Sequence, residues 1–123
     1  MENEIQRVVV NYLRNRYRAI VHGTANGTAH GKRPPVGMLV GVPDVLVFEP
    51  RGGYAGLMIE LKTEAGHLSA IQEDVCRSLA DSGYWVEVCF GVMSAVECVD
   101  EYFSLPKKNE FSPHFEMRRK EKK

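Results

Sequence analysis

The chain has 123 residues and a mass of 13.9 kDa, the size of one ordinary domain. Apolar residues make up 44% of it, enough for a hydrophobic core, and 16 lysines and arginines balance 16 aspartates and glutamates. No apolar run approaches the roughly 20 residues of a membrane span, and the N-terminus lacks a signal-peptide pattern. We therefore expect a soluble, intracellular domain with no membrane partner.

The cysteines also indicate an intracellular protein, and neither they nor the histidines indicate a zinc site. Cys76, Cys89 and Cys98 are odd in number and have no CxxC spacing, so buried reduced thiols are expected rather than disulfides. The cysteines and the four histidines also lack the spacing of a zinc site.

The first predicted element is an amphipathic helix from Glu4 to Tyr17. Its apolar residues recur at helical spacing and are Ile5, Val8, Val9, Tyr12 and Leu13. From His22 to Gly41 the periodicity stops, and repeated glycines with Pro34 and Pro35 predict a long loop. A loop of that length in a small domain usually has a functional reason.

A β-hairpin is predicted next. Val45 to Phe48 is a short β-branched run, Pro50 to Gly53 has turn chemistry, and Gly56 to Lys62 is again extended. Side chains alternate along a strand, so Glu60 and Lys62 share one face of the second strand.

The remaining chain predicts a helix, a strand and a helix. Ser69 to Ser82 is helical, with Gly83 just past its end and an inward face of Ile71, Val75, Ser78 and Leu79. Tyr84 to Phe90 is a strand. Ser94 to Phe103 is a helix with Ser94 and Glu97 as its capping pair, and it ends before Pro106. A strand–helix–strand crossover onto a mixed sheet makes this an α/β sandwich. We divide the chain into a domain, 1–106, and a basic C-terminal extension, 107–123.

Asp44, Glu60 and Lys62 are the candidate catalytic residues. The hairpin can place Asp44 and Glu60 side by side, about 5 Å apart, where two carboxylates repel unless a cation lies between them. A hard ion such as Mg²⁺ binds through one or two carboxylates plus substrate phosphate, and Lys62 can orient or help deprotonate an attacking water. Two alternatives without catalysis remain open: Asp44 is a turn residue, and Glu60 and Lys62 are an exposed pair.

Ser69 and Gln72 admit two interpretations. Ser-x-x-Gln is a capping box, which contributes about a kilocalorie per mole of helix stability and no chemistry. Gln72 lies in the first helical turn near the end of the Lys62 strand, so its side chain can also face the site.

Basic residues are concentrated at both ends of the chain, although the net charge is zero. They are Arg7, Arg14, Arg16, Arg18, Lys107, Lys108, Arg118, Arg119, Lys120, Lys122 and Lys123. Such ends can contact nucleic-acid phosphates while the middle supplies metal ligands. A solubilising tail is an equally open alternative for Arg118 to Lys123.

Gly-Val-Pro-Asp44, then Glu60-Leu-Lys62, then Ser69-x-x-Gln72 and a helix ending at Gly83 together resemble the VRR-NUC domain. This family is a branch of the PD-(D/E)xK nuclease superfamily, found as a stand-alone protein in viruses and as a module in larger repair nucleases. The resemblance implies a restriction-endonuclease-like αβββαβα core, with a mixed sheet flanked by helices. This chain resembles the stand-alone viral kind, which implies that it acts in the host cytoplasm.

By that resemblance, Asp44, Glu60 and the backbone carbonyl of Leu61 would bind Mg²⁺ or Mn²⁺. Lys62 would be the catalytic lysine, Gln72 a supporting residue and Glu4 the carboxylate of the first helix, with Glu2 in reserve. The resemblance also makes Asn26 a substrate-binding residue, and our own further candidates for that role are Arg7, Arg14 and Ser69.

The activity expected from these features is metal-dependent hydrolysis of branched DNA, with a homodimer resolving four-way (Holliday) junctions. Three alternatives remain: a flap or nicking nuclease acting as a monomer, a DNA-binding module without catalysis, and an interaction domain with a fortuitous motif.

Overall fold

The computed structural model describes residues 2–25, 36–107 and 112–119. In chain order these form α1 (Glu2–Tyr17), β1 (Val21–Gly23), β2 (Val45–Val47), β3 (Leu57–Lys62), α2 (Ala70–Asp81), β4 (Trp85–Phe90) and α3 (Val92–Phe103). The predicted αβββαβα order and the mixed sheet flanked by helices are confirmed.

The sheet has the strand order β1-β2-β3-β4. The first three strands run antiparallel, with Val45 opposite Ile59 in the hairpin, and β4 lies parallel to β3 with Glu60 opposite Val88. A parallel pair requires a crossover, which α2 supplies. All six residues of β3 are buried, so the strand that carries Glu60 and Lys62 runs through the middle of the domain.

The two faces of the sheet have different partners. Leu57, Ile59 and Leu61 pack into one apolar cluster with residues of α1 and α3. The intervening Glu60 faces the opposite way and contacts α2 through Gln72. We call these the α1 face and the α2 face. Side chains alternate between the two faces of a strand. One face of the sheet therefore carries the core, and the other carries polar side chains at one end.

The loop that we predicted from His22 to Gly41 begins later than expected, so the prediction is wrong at its start. Val21 to Gly23 form β1, which pairs with β2 in the register Val21 to Val47. Three residues ending in glycine are too short to show an alternating pattern, and they gain strand structure only from their partner. The part of this loop from 26 to 35, with the predicted substrate residue Asn26, lies outside the described residues.

The predicted inward face of α2 is partly wrong. Ile71 is 56% exposed and Ser78 is exposed, whereas Cys76 is the buried residue of this helix. Val75 and Leu79 are half-buried as expected. The helix begins at its Ser69 cap and Gly83 follows it with φ 103°, so the end signals were correct even where the face was not.

Two further details of the helices differ from expectation. Val8 is 43% exposed, although Ile5, Val9 and Leu13 of the same predicted face are buried. Helix α3 begins at Val92 after Gly91 with no side-chain cap, so the Ser94–Glu97 capping pair is wrong. The three cysteines are free and buried, as predicted.

Candidate active site

The end of the β2–β3 ladder brings Asp44 and Glu60 together. The register Val45 to Ile59 continues by one pair to Asp44 and Glu60, and both side chains belong to the α2 face. Asp44 Oδ2 accepts a hydrogen bond of 2.8 Å from the Leu61 N–H. The carboxylate therefore takes the place of the next ladder acceptor at the point where β2 begins.

Pro43 explains why this strand end suits a main-chain ligand. A further step of the same register places Pro43 opposite Leu61, and proline has no N–H to donate. The N–H and C=O of one strand residue point toward the same edge. The Leu61 carbonyl therefore lies on the edge where its N–H meets Asp44, without a ladder donor from Pro43.

Main-chain contacts fix Asp44 from its other side. The Asp44 carbonyl accepts from the Thr24 N–H and from Gln6 Nε2, each at 2.8 Å, and Gln6 Nε2 also donates to the Thr24 carbonyl. Sequence reasoning missed Gln6. Its signal was a polar residue aligned with the apolar face of α1, because positions 6, 9, 10 and 13 lie on one side of a helix.

Glu60 is 1% exposed, yet one of its oxygens has no partner. Oε2 accepts from Gln72 Nε2 at 3.0 Å and lies 3.6 Å from Lys62 Nζ, whereas Oε1 is buried without a hydrogen bond among the described residues. Burial, together with the neighbouring Asp44 carboxylate, raises the pKa of Glu60 to about 8. Burial also raises the pKa of Asp44, partly offset by the Leu61 N–H.

This donor set fits a hard divalent cation. Two buried carboxyl groups repel each other when ionised, Glu60 Oε1 has no partner within the described ranges, and the Leu61 carbonyl lies alongside. Oxygen ligands of this kind are those that Mg²⁺ and Mn²⁺ prefer. Asp44, Glu60 and Leu61 could therefore hold such an ion between β2 and β3.

Lys62 is buried beside the acids and packed by a turn. Its side chain is 9% exposed, and a Cβ on Gly66 would lie 3.3 Å from Lys62 Cβ and 3.4 Å from Cδ. The Gly66 N–H donates to the Thr63 carbonyl, closing a turn over the lysine stem. Glycine at this place lets the backbone approach closely enough to fix the ammonium group next to Glu60.

The capping box of α2 is part of the site. Ser69 Oγ accepts from the Gln72 N–H at 3.1 Å, and Gln72 Oε1 accepts from the Ser69 N–H at 3.0 Å. The Gln72 amide nitrogen remains free for Glu60. Cys76, one turn further along α2, was also missed; burial, with Glu60 and Asp44, raises the pKa of its thiol.

The structure does not bring the other predicted site residues to the carboxylates. Glu4 is exposed on α1 and makes no contact with them among the described residues, and the side chain of the reserve choice, Glu2, lies outside that description. Arg7 and Arg14 line a groove of about 280 Å³ between α1 and Gly23 of β1, on the α1 face. Gln6 lines the same groove and connects it to the Asp44 main chain.

Comparisons with known proteins agree with this geometry. The VRR-NUC domain model matches residues 6–93, a segment that contains Asp44, Glu60, Lys62 and Gln72 but begins after Glu4. A solved structure described as a VRR_NUC domain protein superimposes with a TM-score of 0.71 at 28% identity, covering 86% of this chain and 90% of the other. No match was found among curated proteins. No helix in the described ranges is long and apolar enough to cross a bilayer.

A family model that spans most of the chain, a similar solved structure and a buried Asp–Glu–Lys cluster lead to one assignment. Domains of this kind are nucleases that process DNA and generally use divalent metal ions. The chain belongs to the VRR-NUC domain family.

Proposed function

We propose that this chain is a Mg²⁺- or Mn²⁺-dependent endonuclease for branched DNA, working as a homodimer that resolves four-way junctions in the manner of the stand-alone viral members. The observation that carries the proposal is the buried Asp44–Glu60 pair next to Lys62, in which Glu60 Oε1 has no hydrogen-bond partner among the described residues. Burying two ionised carboxyl groups side by side is unfavourable in free energy. A cation bound together with substrate phosphate would offset this.

Each residue of the cluster has a distinct role in this proposal. Asp44, Glu60 and the Leu61 carbonyl would hold the cation, which would supply stabilisation of the negative charge that develops on the attacked phosphate. Lys62 orients the attacking water or helps deprotonate it. Gln72 fixes Oε2 of Glu60 and leaves Oε1 available to the site.

The remaining predicted residues would contact DNA. The Ser69 hydroxyl accepts a bond from Gln72 and still has a proton to donate to a phosphate oxygen. Arg7 and Arg14, about 10 Å apart along α1, would bind the DNA backbone at a distance from the cleavage point, and Asn26 is proposed to bind substrate as well. Glu4 would support the cation from α1 once DNA is bound.

The outer edge of β4, which pairs with no other strand in the described part of the chain, supplies a surface for the homodimer. Trp85 and Gly91 donate their N–H groups to β3, so by alternation Val86, Val88 and Phe90 direct theirs away from the sheet. A long apolar edge strand usually acquires a partner. Antiparallel pairing of two β4 strands would place both sites on one face, with the β3 strands about 14 Å apart.

The test of activity compares wild type with two variants that keep side-chain volume, Glu60→Gln and Lys62→Met. Labelled four-way junction, flap and plain duplex are incubated with Mg²⁺, Mn²⁺ or EDTA. We expect metal-dependent cutting, fastest on the junction and at least about 100-fold slower in both variants, with junction binding retained. Cutting in EDTA, or full activity of Lys62→Met, would contradict the site.

The same substrates decide between the alternatives. Preference for the flap by a monomer would favour a flap nuclease, and junction binding without cutting in Mn²⁺ would favour a DNA-binding module.

Val88→Pro tests the dimer separately. Its N–H points to the open edge, so the substitution leaves the β3–β4 ladder intact and removes a donor that a second β4 needs. We expect wild type to sediment as a dimer and Val88→Pro as a folded monomer. A dimer that persists in Val88→Pro would exclude this edge as the interface.

A further inference from the structure

A second group of potential metal ligands lies on the other side of the sheet, between β4 and α3. Glu87 and Cys89 are alternate residues of β4 and share the α1 face, and Cys98 comes from the middle of α3. One ligand atom from each, a carboxylate oxygen and two sulfurs, all lie within 4.8 Å of one another. None of the three takes part in the proposed nuclease chemistry.

The spacing of these atoms is close to that of a tetrahedral site. Bonds of about 2.0–2.3 Å to a tetrahedral ion separate its ligand atoms by roughly 3.3–3.8 Å. The three atoms would therefore have to approach one another by at most about 1–1.5 Å, which rotamer adjustments of Glu87 and the cysteines can supply. Cys98 Sγ already lies 3.3 Å from Glu87 Oε2.

The surroundings also suit a bound ion. Cys89 and Cys98 are 3% and 2% exposed, so their sulfurs are shielded from bulk water, while Glu87 is half-buried and leaves a route to solvent. Trp85 Nε1 donates to Glu87 Oε2. A hydrogen bond of this kind to a ligating carboxylate fixes its orientation, as the outer partners of known metal sites do.

We propose that Glu87, Cys89 and Cys98 bind a thiophilic divalent cation of the Zn²⁺ class. Two sulfur ligands select a soft or borderline ion against Mg²⁺, so this site would be chemically separate from the oxygen-lined one. The cation would displace the thiol protons, including the one that Cys98 directs at Glu87, and would tie the edge strand to α3. With three side-chain ligands among the described residues, water would complete the coordination.

The sequence could not reveal this grouping. The expected absence of zinc spacing assumed ligands close together in the chain, whereas this site takes two positions of one strand and a third from the following helix. A residue pattern of Glu-x-Cys followed nine positions later by Cys resembles no known ligand motif, and only the packing of α3 on β4 joins them.

Co²⁺ is the probe, because thiolate coordination gives it a charge-transfer absorption in the near ultraviolet. The metal-free full chain is titrated with Co²⁺ in excess Mg²⁺, which occupies the oxygen site. We expect the band to saturate at one equivalent, to lose at least about half of its intensity in Cys98→Ser, which leaves only the Cys89 thiolate, and to persist in Cys76→Ser. Absence of the band in wild type, its undiminished survival in Cys98→Ser, or its loss in Cys76→Ser would each overturn the proposal.

Glu87→Gln keeps the test valid if Cys98→Ser does not fold. The amide preserves the size of this half-buried residue and both thiols, but it removes the anionic ligand. We expect the band to remain while Co²⁺ affinity falls about tenfold or more. Unchanged affinity would exclude Glu87 as a ligand, and the wild-type titration decides whether the thiols bind at all.

Discussion

The side-chain amide of Gln72 donates to Glu60 Oε2 over 3.0 Å. The same amide accepts the Ser69 N–H through its oxygen, also at 3.0 Å. One side chain thus joins the first turn of α2 to the buried acid of β3. The two interpretations of Ser-x-x-Gln, a helix cap and a site residue, are both satisfied because an amide has separate donor and acceptor ends.

Ser69 and Gln72 variants should separate these two contributions. Ser69→Ala removes the cap and is expected to lower the free energy of unfolding by about 1 kcal/mol, with kcat unchanged and KM raised if the hydroxyl contacts phosphate. Gln72→Ala also releases Glu60, so we expect a similar loss of stability plus a fall in kcat of about tenfold or more. Denaturant titrations and steady-state cleavage measure both. Equal kcat values for the two variants would show that the Glu60 contact is unimportant.

Stability of the metal-free protein should fall between about pH 4.5 and pH 8. The pKa of Glu60 is raised to about 8 in the folded chain, from an ordinary value of 4.5 after unfolding. In that window the folded state holds the proton that the unfolded state has released, so folding is progressively disfavoured as pH rises. We expect Tm in EDTA to decline across this window and Mn²⁺ to restore it most strongly above pH 8.

Glu60→Gln should remove most of this decline, because the amide does not titrate. The smaller remainder would come from Asp44, whose pKa is raised in the same direction. Glu64→Gln, a change at an exposed carboxylate of the following turn, should leave the decline as in wild type. A flat Tm profile for wild type in EDTA would contradict the assignment.

Gly41→Ala should disturb the turn that leads to Asp44. Gly41 has φ +87°, and a Cβ there would lie 2.8 Å from Ile71 Cγ2 and 3.2 Å from the Ile71 carbonyl. The backbone strain costs about 1–2 kcal/mol and the steric clash about 1–3 kcal/mol more. Gly53→Ala is the matched control, since Gly53 has φ +89° with nothing within 4 Å of the added atom.

We expect Gly53→Ala to show the strain alone, with normal cleavage. Gly41→Ala should lose more stability in urea titrations and bind Mn²⁺ more weakly, because Asp44 follows three residues later. If the two glycine variants are equally stable and active, contact with Ile71 does not position Asp44.

Arg7 and Arg14 should affect DNA binding rather than chemistry. They line one groove, and replacing both by glutamine removes two potential phosphate contacts. We expect weaker junction binding, a slope of log affinity against log salt reduced by about 2, and nearly unchanged kcat at saturation. Arg16→Gln is the control, because Arg16 stacks over the Tyr17 ring on the same helix. An equal effect of Arg16→Gln would indicate a general charge effect.

The sequence predicted the elements whose apolar residues recur at a regular spacing. It did not predict structure that depends on contact with another element. The periodic apolar residues and end signals located α1, α2 and the hairpin to within a few residues. β1 has only three residues and depends on pairing with β2. The helical spacing predicted that Ile71 faces the sheet. Instead it lies where the backbone at Gly41 crosses α2, so its contacts come from a turn.

The acids, Lys62 and Gln72 of the proposed site could be predicted from the sequence, but the residues that hold the Asp44 main chain could not. Asp44, Glu60 and Lys62 follow from strand alternation and the hairpin, which are local rules. Gln6 and Thr24 reach the Asp44 main chain from 38 and 20 positions away, and no sequence spacing encodes such contacts. The burial of Glu60 likewise arises only when α2 covers the sheet, so its raised pKa could not be foreseen.

The complete burial of β3 has a consequence for how this family changes over time. Glu60 and Lys62 fill space in the interior as well as carrying charge, so a small residue at either position would leave a cavity and an unpaired partner. A descendant that abandons catalysis would therefore be expected to accept Gln, Met or Leu at these positions long before Ala, Ser or Gly. In such a lineage, we expect loss of activity to be accompanied by substitutions at positions 60 and 62 that remove the charge and keep the side-chain volume.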